Sequence, residues 1–518
     1  MKVTRWPALA FFIVIMIAAF VLEDDEGISS IEQVFERNQA FLVGDRQDLS
    51  STWYCVSGTV GGSGIADHEI LLGNPSNKVA NASITVIPVL SPNQLSTEND
   101  EPNVSSELKI LQLPSVTTDV IIPERSTFSI KLSDIEGVNG EHAAAFIQSD
   151  LGDLVAEHRL SGKVGVSQSF CSSNASTEWN FAAGTTRSGS REIISIYNPF
   201  PDNAVLDITF AADGRTRRPE AFNGLVVPPN ALLPIDITDV VTLAETIGAR
   251  IETRIGRVVA ERMLFFGDEF DPRGLSSGIG SPTLNNIWVF PGGFDTESNS
   301  SLVVYNPSSN SEAEVEVEII SDVKSGPYIE PVNISVKPGS LEQVIFGGGS
   351  DPSESASKLD VSDRIPRGVP FWVVVRSLNK VPIVSERFGV TLESLVASSG
   401  SNMGIDLAAR EHFFISNSSG GKLAVVLPAE DRLTLLQLFA YSEGKIYESQ
   451  IIEVSAKSRK IIDLQQLGIP EDALIRVISS EPVALERYLL SQMMGQWDRV
   501  AAGTSGLVEL EISPQPFE

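Results

Sequence analysis

The chain has 518 residues, a length that accommodates roughly three to five domains, each with its own core. It carries 67 Asp and Glu against 38 Lys and Arg, so its formal net charge at pH 7 is -29. Such a charge repels phosphate backbones and anionic lipid surfaces, which argues against nucleic acid as a partner. An acidic surface of this kind also favours solubility.

The N-terminal segment predicts export. Residues 1–5 carry the positive charges of Lys2 and Arg5, residues 6–22 are apolar, and four acidic residues follow directly. This order of charges keeps an N-terminus in the cytoplasm and sends the rest of the chain across the membrane. We therefore predict an uncleaved signal anchor or transmembrane helix at residues 1–22, with a cleaved signal peptide as the alternative. Residues 23–50 are predicted to form an acidic stalk.

The rest of the chain contains a repeat of about one hundred residues, which is too long for a solenoid repeat or a propeller blade. The copies end in a short apolar stretch and a glutamate followed by Arg or His. These glutamates are Glu157, Glu261, Glu386 and Glu486. Each copy is therefore predicted to be a complete small β domain.

Within the copies, apolar strands end at an Asn-Pro pair, as at Asn74, Asn198 and Asn306. Later strands alternate apolar and acidic residues, as in residues 314–319, which is typical of antiparallel sheets with one wet face. About seven short strands per copy predict an all-β protein of tandem immunoglobulin-like β-sandwich domains. The predicted domain boundaries are 51–165, 174–273, 283–395 and 405–512.

Each copy is predicted to close with a hairpin, for example residues 249–253 paired with residues 257–261. Stretches of small residues follow the hairpins, at 161–173, 274–282 and 398–402. Their composition is typical of linkers, and it predicts a semi-flexible rod of separate domains.

The chain has two cysteines, Cys55 and Cys171, which bracket the first copy. An even count in an exported chain predicts a disulfide bond, and the alternative is a pair of free thiols. Closing so long a loop contributes roughly 4 to 5 kcal/mol in the chain-entropy model.

The repeated glutamates are the main candidate site residues. They are either ligand carboxylates at domain junctions or structural acids that satisfy a neighbouring backbone or ionic group. Because a requirement of the fold recurs with the fold, whereas a catalytic site usually occurs once, we predict that all of them are structural.

No catalytic, metal-binding or cofactor-binding residues are predicted. The four histidines lack metal-ligand spacing, and no nucleophile elbow or catalytic triad order is recognisable. Asp268, Glu269 and Asp271 lie close together in an apparent linker between the second and third domains. They could help to bind calcium there, but the full set of six to eight oxygen ligands is not identified from the sequence.

The order of features resembles the uncharacterised actinobacterial family known as domain of unknown function 5719. The features are the apolar start, Trp53-Tyr-Cys55, the strand with Asn-Pro, a second cysteine and the repeated Val-Ala-Glu-Arg. The resemblance runs from about Trp53 to the last hairpin, and the fourth copy departs from it most. It implies a membrane-anchored protein of a bacterial envelope, without an activity to carry over.

The sequence therefore predicts a single-pass cell-membrane protein whose bulk is extracytoplasmic. It would act as a non-catalytic scaffold or binding protein, with cell-wall polysaccharide or another envelope protein as partner. The alternative is an accessory subunit or hydrolase acting on cell-wall glycan. The aromatic residues that open the domains, Trp53, Tyr54, Trp179 and Trp288, are either a contact surface or part of the cores.

Overall fold

The structure is a computed structural model. It describes residues 51–61, 65–90, 111–267, 273–294, 296, 300–321, 328–347, 358–393, 396–416, 421–428, 433–490, 495–499, 501–502 and 508–509. The predicted anchor and stalk lie outside these residues. In the described part, no helix has the length and apolar character needed to cross a membrane.

This part of the chain is almost entirely β-structure, so the predicted all-β class is confirmed. Four consecutive units share one scheme of strand pairing. Units 1 and 2 cover residues 52–170 and 178–279. The strands of unit 1 are β1 (Thr52–Cys55), β2 (Asp67–Asn74), β3 (Ala80–Leu90), β4 (Leu111–Gln112), β5 (Val116–Ile122), β6 (Ser126–Lys131), β7 (His142–Ser149), β8 (Val155–Gly162) and β9 (Gly165–Phe170). The strands of unit 2 are β10 (Glu178–Gly184), β11 (Ser190–Asn198), β12 (Ala204–Ala212), β13 (Arg215–Arg217), β14 (Asn223–Val227), β15 (Ala231–Asp236), β16 (Ile247–Ile255), β17 (Val259–Phe266) and β18 (Gly274–Ile279).

Units 3 and 4 cover residues 287–403 and 407–509. The strands of unit 3 are β19 (Ile287–Phe294), β20 (Ser300–Asn306), β21 (Ala313–Ser321), β22 (Val332–Val336), β23 (Ser340–Ile345), β24 (Lys358–Asp360), β25 (Phe371–Ser377), β26 (Val384–Glu393) and β27 (Val396–Met403). The strands of unit 4 are β28 (Leu407–Ile415), β29 (Lys422–Val426), β30 (Thr434–Ser442), β31 (Lys445–Glu448), β32 (Ile452–Val454), β33 (Arg459–Asp463), β34 (Leu474–Leu490), β35 (Gly495–Arg499), β36 (Ala501–Ala502) and β37 (Val508–Glu509). Short 3-10 helices are Leu132–Asp134, Glu220–Phe222 and Ser362–Arg364.

Each unit contains two kinds of sheet. The first-strand sheet holds the unit's first strand and has the order β1-β7-β3-β4 in unit 1, while the second-strand sheet has the order β6-β2-β8-β9. Unit 2 repeats both orders. Unit 3 has the order β19-β25-β21-β22 in its first-strand sheet and adds β24, parallel to β23, at the edge of its second-strand sheet. In unit 4 the 17-residue strand β34 belongs to both sheets, because its first half pairs with β28 and β30 and its second half with β29 and β35.

Two predicted strand patterns are confirmed, namely the alternation of apolar and acidic residues and the strand ends at Asn-Pro pairs. In β21, Val315, Val317 and Ile319 are buried while the glutamates between them reach solvent. Strands β2, β11 and β20 end at the asparagines of the Asn-Pro pairs. The side-chain amide of Asn198 shows why, since it donates to the carbonyls of Asp202, Val227 and Pro228 and so ties the strand end to a neighbouring turn.

The predicted closing hairpin and linkers are wrong. Strands β16 and β17 lie in different sheets, and β17 pairs instead with β18, inside the predicted linker 274–282. The predicted linker 161–173 contains β9, and the predicted linker 398–402 lies within β27. Their small residues reflect close packing rather than flexibility.

The units form a closed ring. The second-strand sheet of each unit packs on the first-strand sheet of the preceding unit, and that of unit 1 packs on unit 4. Leu71 and Val155 of unit 1 share one buried apolar cluster with Phe413, Ile415 and Leu474 of unit 4. The predicted semi-flexible rod of separate domains is therefore wrong, because the first and last units meet.

The last strands of the units meet near the middle of the ring. Ser277 donates its amide to Ser167 Oγ at 2.9 Å, and Ser401 donates its amide to Ser276 Oγ at 3.2 Å. A side chain at Gly274 would collide with the carbonyl oxygen of Ser399. Only small residues fit here, and the strands leave a cavity of about 20 Å³, room for about one water molecule.

Candidate functional site

The repeated glutamates lie in the ring junctions. Each projects from the second-strand sheet of its unit and reaches the preceding unit. Their exposed fractions do not exceed 1 %, so each carboxyl group depends on protein partners. The four residues are Glu157, Glu261, Glu386 and Glu486.

Glu157 closes the ring. Nη1 of Arg487, in unit 4, donates to both of its carboxylate oxygens at 2.8 and 2.6 Å. The amide of Ile415, at the end of the first strand of unit 4, donates at 3.0 Å, and Gln168 Nε2 donates at 2.6 Å. The side chain therefore joins residues separated by 330 positions in the sequence.

Glu261 makes the corresponding link from unit 2 to unit 1. Its Oε2 accepts hydrogen bonds from the amides of Val56 and Ser57 at 3.1 and 2.9 Å. Its Oε1 lies 2.8 Å from Nε2 of His158. His158 directly follows Glu157, so it occupies the position that an arginine holds in the other units.

Glu386 links unit 3 to unit 2. Its Oε2 accepts from the amide of Ala183 at 2.7 Å, from Nη2 of Arg262 at 2.7 Å and from Ser401 Oγ at 3.0 Å. Arg262 follows Glu261, as His158 follows Glu157.

Glu486 links unit 4 to unit 3 and completes the cycle. Its Oε2 accepts from the amide of Gly292 at 2.7 Å and lies 3.5 Å from Nη1 of Arg387. Burial raises the pKa of Glu486, and the Arg387 guanidinium acts in the opposite direction.

The sheet geometry explains why a carboxyl group is needed at these junctions. The pairing register shifts between Phe181 and Gly184 in β10 and between Phe290 and Phe294 in β19. Residues inside such bulges leave the ladder, so their amides need another acceptor. The amides that reach Glu386 and Glu486 lie inside these two shifts. Glu386 and Glu486 thus each accept a hydrogen bond from a displaced amide of the preceding unit and contact an arginine of that unit.

The predicted disulfide is confirmed: Cys55 and Cys171 are bonded, with their Cα atoms 4.5 Å apart. It joins the first strand of unit 1 to the residue after its last strand, and so links the two sheets of that unit. The described residues contain no free cysteine.

Units 2 and 3 have a phenylalanine and a glycine at the positions of the two cysteines. This alignment follows from isolated β-bridges at equivalent positions of the units. They pair Tyr54 with Ser172 in unit 1, Asn180 with Ser281 in unit 2, and Val289 with Ile405 in unit 3. A Cβ at Gly280 would lie 2.8 Å from the ring of Phe181, and one at Gly404 would lie 2.6 Å from the ring of Phe290. Aromatic packing therefore joins the sheets where unit 1 has a covalent bond.

The tryptophans that open the units belong to the cores and not to a contact surface. Trp53, Trp179 and Trp288 are all buried. Trp179 Nε1 donates to the carbonyl of Val258 at 2.7 Å, and Trp288 Nε1 donates to that of Ile383 at 3.0 Å. The hypothesis of an aromatic contact surface is wrong for these three residues.

Two of the histidines meet behind Ser169, a residue that lines the central cavity. His68 Nδ1 lies 3.1 Å from the carbonyl oxygen of Ala143, and its Nε2 lies 3.0 Å from Nδ1 of His158. Burial, followed by the neighbouring His158, holds the pKa of His68 well below its ordinary value, so His68 is neutral and accepts from His158.

Ser169 Oγ lies 2.8 Å from Nε2 of His158, a contact that resembles a nucleophile and its base. However, Ser169 is buried, and the adjacent cavity of about 20 Å³ is far too small for a sugar. The arrangement is a buried polar network at the junction between units 1 and 2. Among the described residues, no three His, Cys, Asp or Glu side chains are placed to hold a metal ion. Asp268, Glu269 and Asp271 lie outside those residues.

Glu192 is a buried acid that sequence reasoning missed. It holds the strand position in unit 2 that His68 holds in unit 1. Neither carboxylate oxygen accepts a well-formed hydrogen bond, although the Thr185 amide and Arg262 act to lower its pKa. Burial outweighs both and raises the pKa of Glu192 to about 7.

We expect Glu192→Gln to change the pH dependence of stability. Because the pKa of Glu192 is raised from 4.5 to about 7 on folding, the wild-type chain loses stability as the pH rises through that interval, and above it the loss is complete. The glutamine variant should gain on the order of 3 kcal/mol over the wild type between pH 4.5 and pH 8. Urea unfolding at both pH values measures this, with the exposed Glu448→Gln as the matched control. If the free energy of unfolding changed equally with pH in the wild type, Glu192→Gln and Glu448→Gln, the raised pKa of Glu192 would be contradicted.

These features define an all-β ring protein whose buried charged side chains are concentrated in its unit junctions. No protein-family model matches the chain, and no curated protein is similar to it.

Proposed function

We propose that the chain is a non-catalytic scaffold or binding protein of the bacterial cell envelope, built from four immunoglobulin-like β-sandwich domains. The observation that carries this proposal is the closed ring of repeated units. In the ring, each repeated glutamate contacts a buried arginine or histidine of the neighbouring unit across a junction. Such a ring is a rigid platform with its loops and outer edges facing solvent.

The proposed location outside the cytoplasm has two supports. The Cys55–Cys171 disulfide is typical of an oxidising compartment. The apolar segment at residues 6–22, with positive charge before it and acid after it, is typical of a single-pass anchor.

A thermal-shift screen of the full-length chain against purified cell-wall polysaccharides tests the function. A ligand present at about 100 times its dissociation constant adds about 2.7 kcal/mol of stability, and the melting temperature should rise reproducibly with at least one polymer. A storage polysaccharide such as starch serves as the negative control. If no wall polymer shifts the transition, glycan binding is excluded and a protein partner, sought by cross-linking in the membrane, takes its place.

A further inference from the structure

One groove on the ring has the features of a ligand site. It lies between units 2 and 3 and encloses about 570 Å³, within the usual range for small-molecule sites. Its lining is more polar than apolar, and it includes Thr209, Thr216, Arg218, Arg250 and Tyr305. We call it the junction groove.

The walls of the junction groove are fixed by contacts between the two units. Thr216 Oγ1 donates to the carbonyl of Gly339 at 2.9 Å, and Arg250 Nη1 donates to that of Pro307 at 3.3 Å. Arg250 is also held by Glu178 at 3.1 Å and by Glu252 at 2.9 Å. The groove is therefore preorganised, which reduces the entropy lost when a ligand binds.

Two polar groups of the junction groove are left available. Tyr305 is almost completely buried, yet its hydroxyl makes no hydrogen bond with any residue that the structure describes. Burial raises the pKa of Tyr305, so the hydroxyl remains protonated and is able to donate. The exposed Arg218 makes no ion pair within the described part of the chain.

Two arginines and one glutamate line the groove, namely Arg218, Arg250 and Glu252. Because Arg250 is paired with Glu178 and Glu252, Arg218 is the groove cation that has no ion pair among the described residues. A guanidinium and several hydroxyls in one cleft are suited to a polyhydroxylated ligand that bears a carboxylate.

We propose that the junction groove binds an acidic oligosaccharide of the cell envelope. Arg218 pairs with the carboxylate of the sugar, and the hydroxyl of Tyr305 donates to a ring or hydroxyl oxygen. This inference rests on the proposed function and gives it a site and a substrate class.

The test is calorimetric titration of the full-length chain with the disaccharide of N-acetylglucosamine and N-acetylmuramic acid, which carries a carboxylate. Di-N-acetylchitobiose is the neutral comparison. The wild-type chain should bind the acidic sugar more tightly than the neutral one. Arg218→Ala and Tyr305→Phe should each weaken binding of the acidic sugar about tenfold, the effect of losing one charge-assisted or buried hydrogen bond.

Arg215→Ala is the matched control, because it removes the same charge from a neighbouring residue that does not line the groove. It should bind like the wild type. If the wild type binds the acidic sugar, and Arg218→Ala and Arg215→Ala both bind it as tightly as the wild type, the groove is the wrong site, although glycan binding stands. If the wild type binds neither sugar, the groove proposal fails, and the polysaccharide screen alone decides the proposed function.

Discussion

Replacing Arg487 by methionine should destabilise the protein by about 3 to 5 kcal/mol, because the buried Glu157 carboxylate then loses its cation. Both side chains have exposed fractions of no more than 2 %, so water cannot replace the lost partner. The expected result is a lower midpoint in urea unfolding. Opening of the contact between units 1 and 4 should also enlarge the radius of gyration in small-angle X-ray scattering.

Two further variants make this prediction specific. Arg217→Met removes an exposed pair with Asp213, and such pairs contribute at most about 1 kcal/mol. The double variant Glu157→Gln with Arg487→Met keeps an acceptor for the Ile415 amide and leaves no buried charge. It should therefore be more stable than the single Arg487 variant. An Arg487→Met chain as stable as Arg217→Met would show that the pair does not hold the ring closed.

Loss of the disulfide is the second large expected effect. Cys55 and Cys171 are separated by 116 residues, and the chain-entropy model gives roughly 4 to 5 kcal/mol for a loop of this length. The variant in which both cysteines are alanine should lose that amount. Hydrogen exchange followed by mass spectrometry should place the loss mainly in the strands of unit 1.

Reduction of the wild-type chain provides the control, because it should reproduce the exchange pattern of the double-alanine variant. The variant itself should not respond to the reducing agent. Unchanged protection in unit 1, with the same unfolding midpoint as the oxidised wild type, would contradict a stabilising role for this bond.

Features that depend on neighbouring residues could be predicted from the sequence. The alternation in β21 and the Asn-Pro strand ends follow from local side-chain patterns, and the structure contains both. The disulfide followed from the even number of cysteines in a chain that is predicted to be exported. The recurrence of the glutamates also indicated that they meet a requirement of the fold.

Features that depend on distant residues could not be predicted. Strands β16 and β17 are adjacent in the sequence and have the pattern of a hairpin, but their hydrogen bonds go to different sheets. The small residues of β18 have the composition of a linker, although the reason for them is close packing between strands of different units. The arginine or histidine that follows each glutamate was visible in the sequence, but its partner lies in the next unit around the ring.

The bond between Glu157 and Arg487 also sets an order of events during synthesis. Because the ribosome makes the N-terminus first, unit 1 emerges while its partner, 330 residues away, does not yet exist. Until then the apolar side chains of Leu71 and Val155 lack the surface that buries them in the finished ring. Of the four units, unit 1 spends the longest time without the unit on which its second-strand sheet packs, because that unit is unit 4. Unit 1 is also the unit whose two sheets are joined by a disulfide bond.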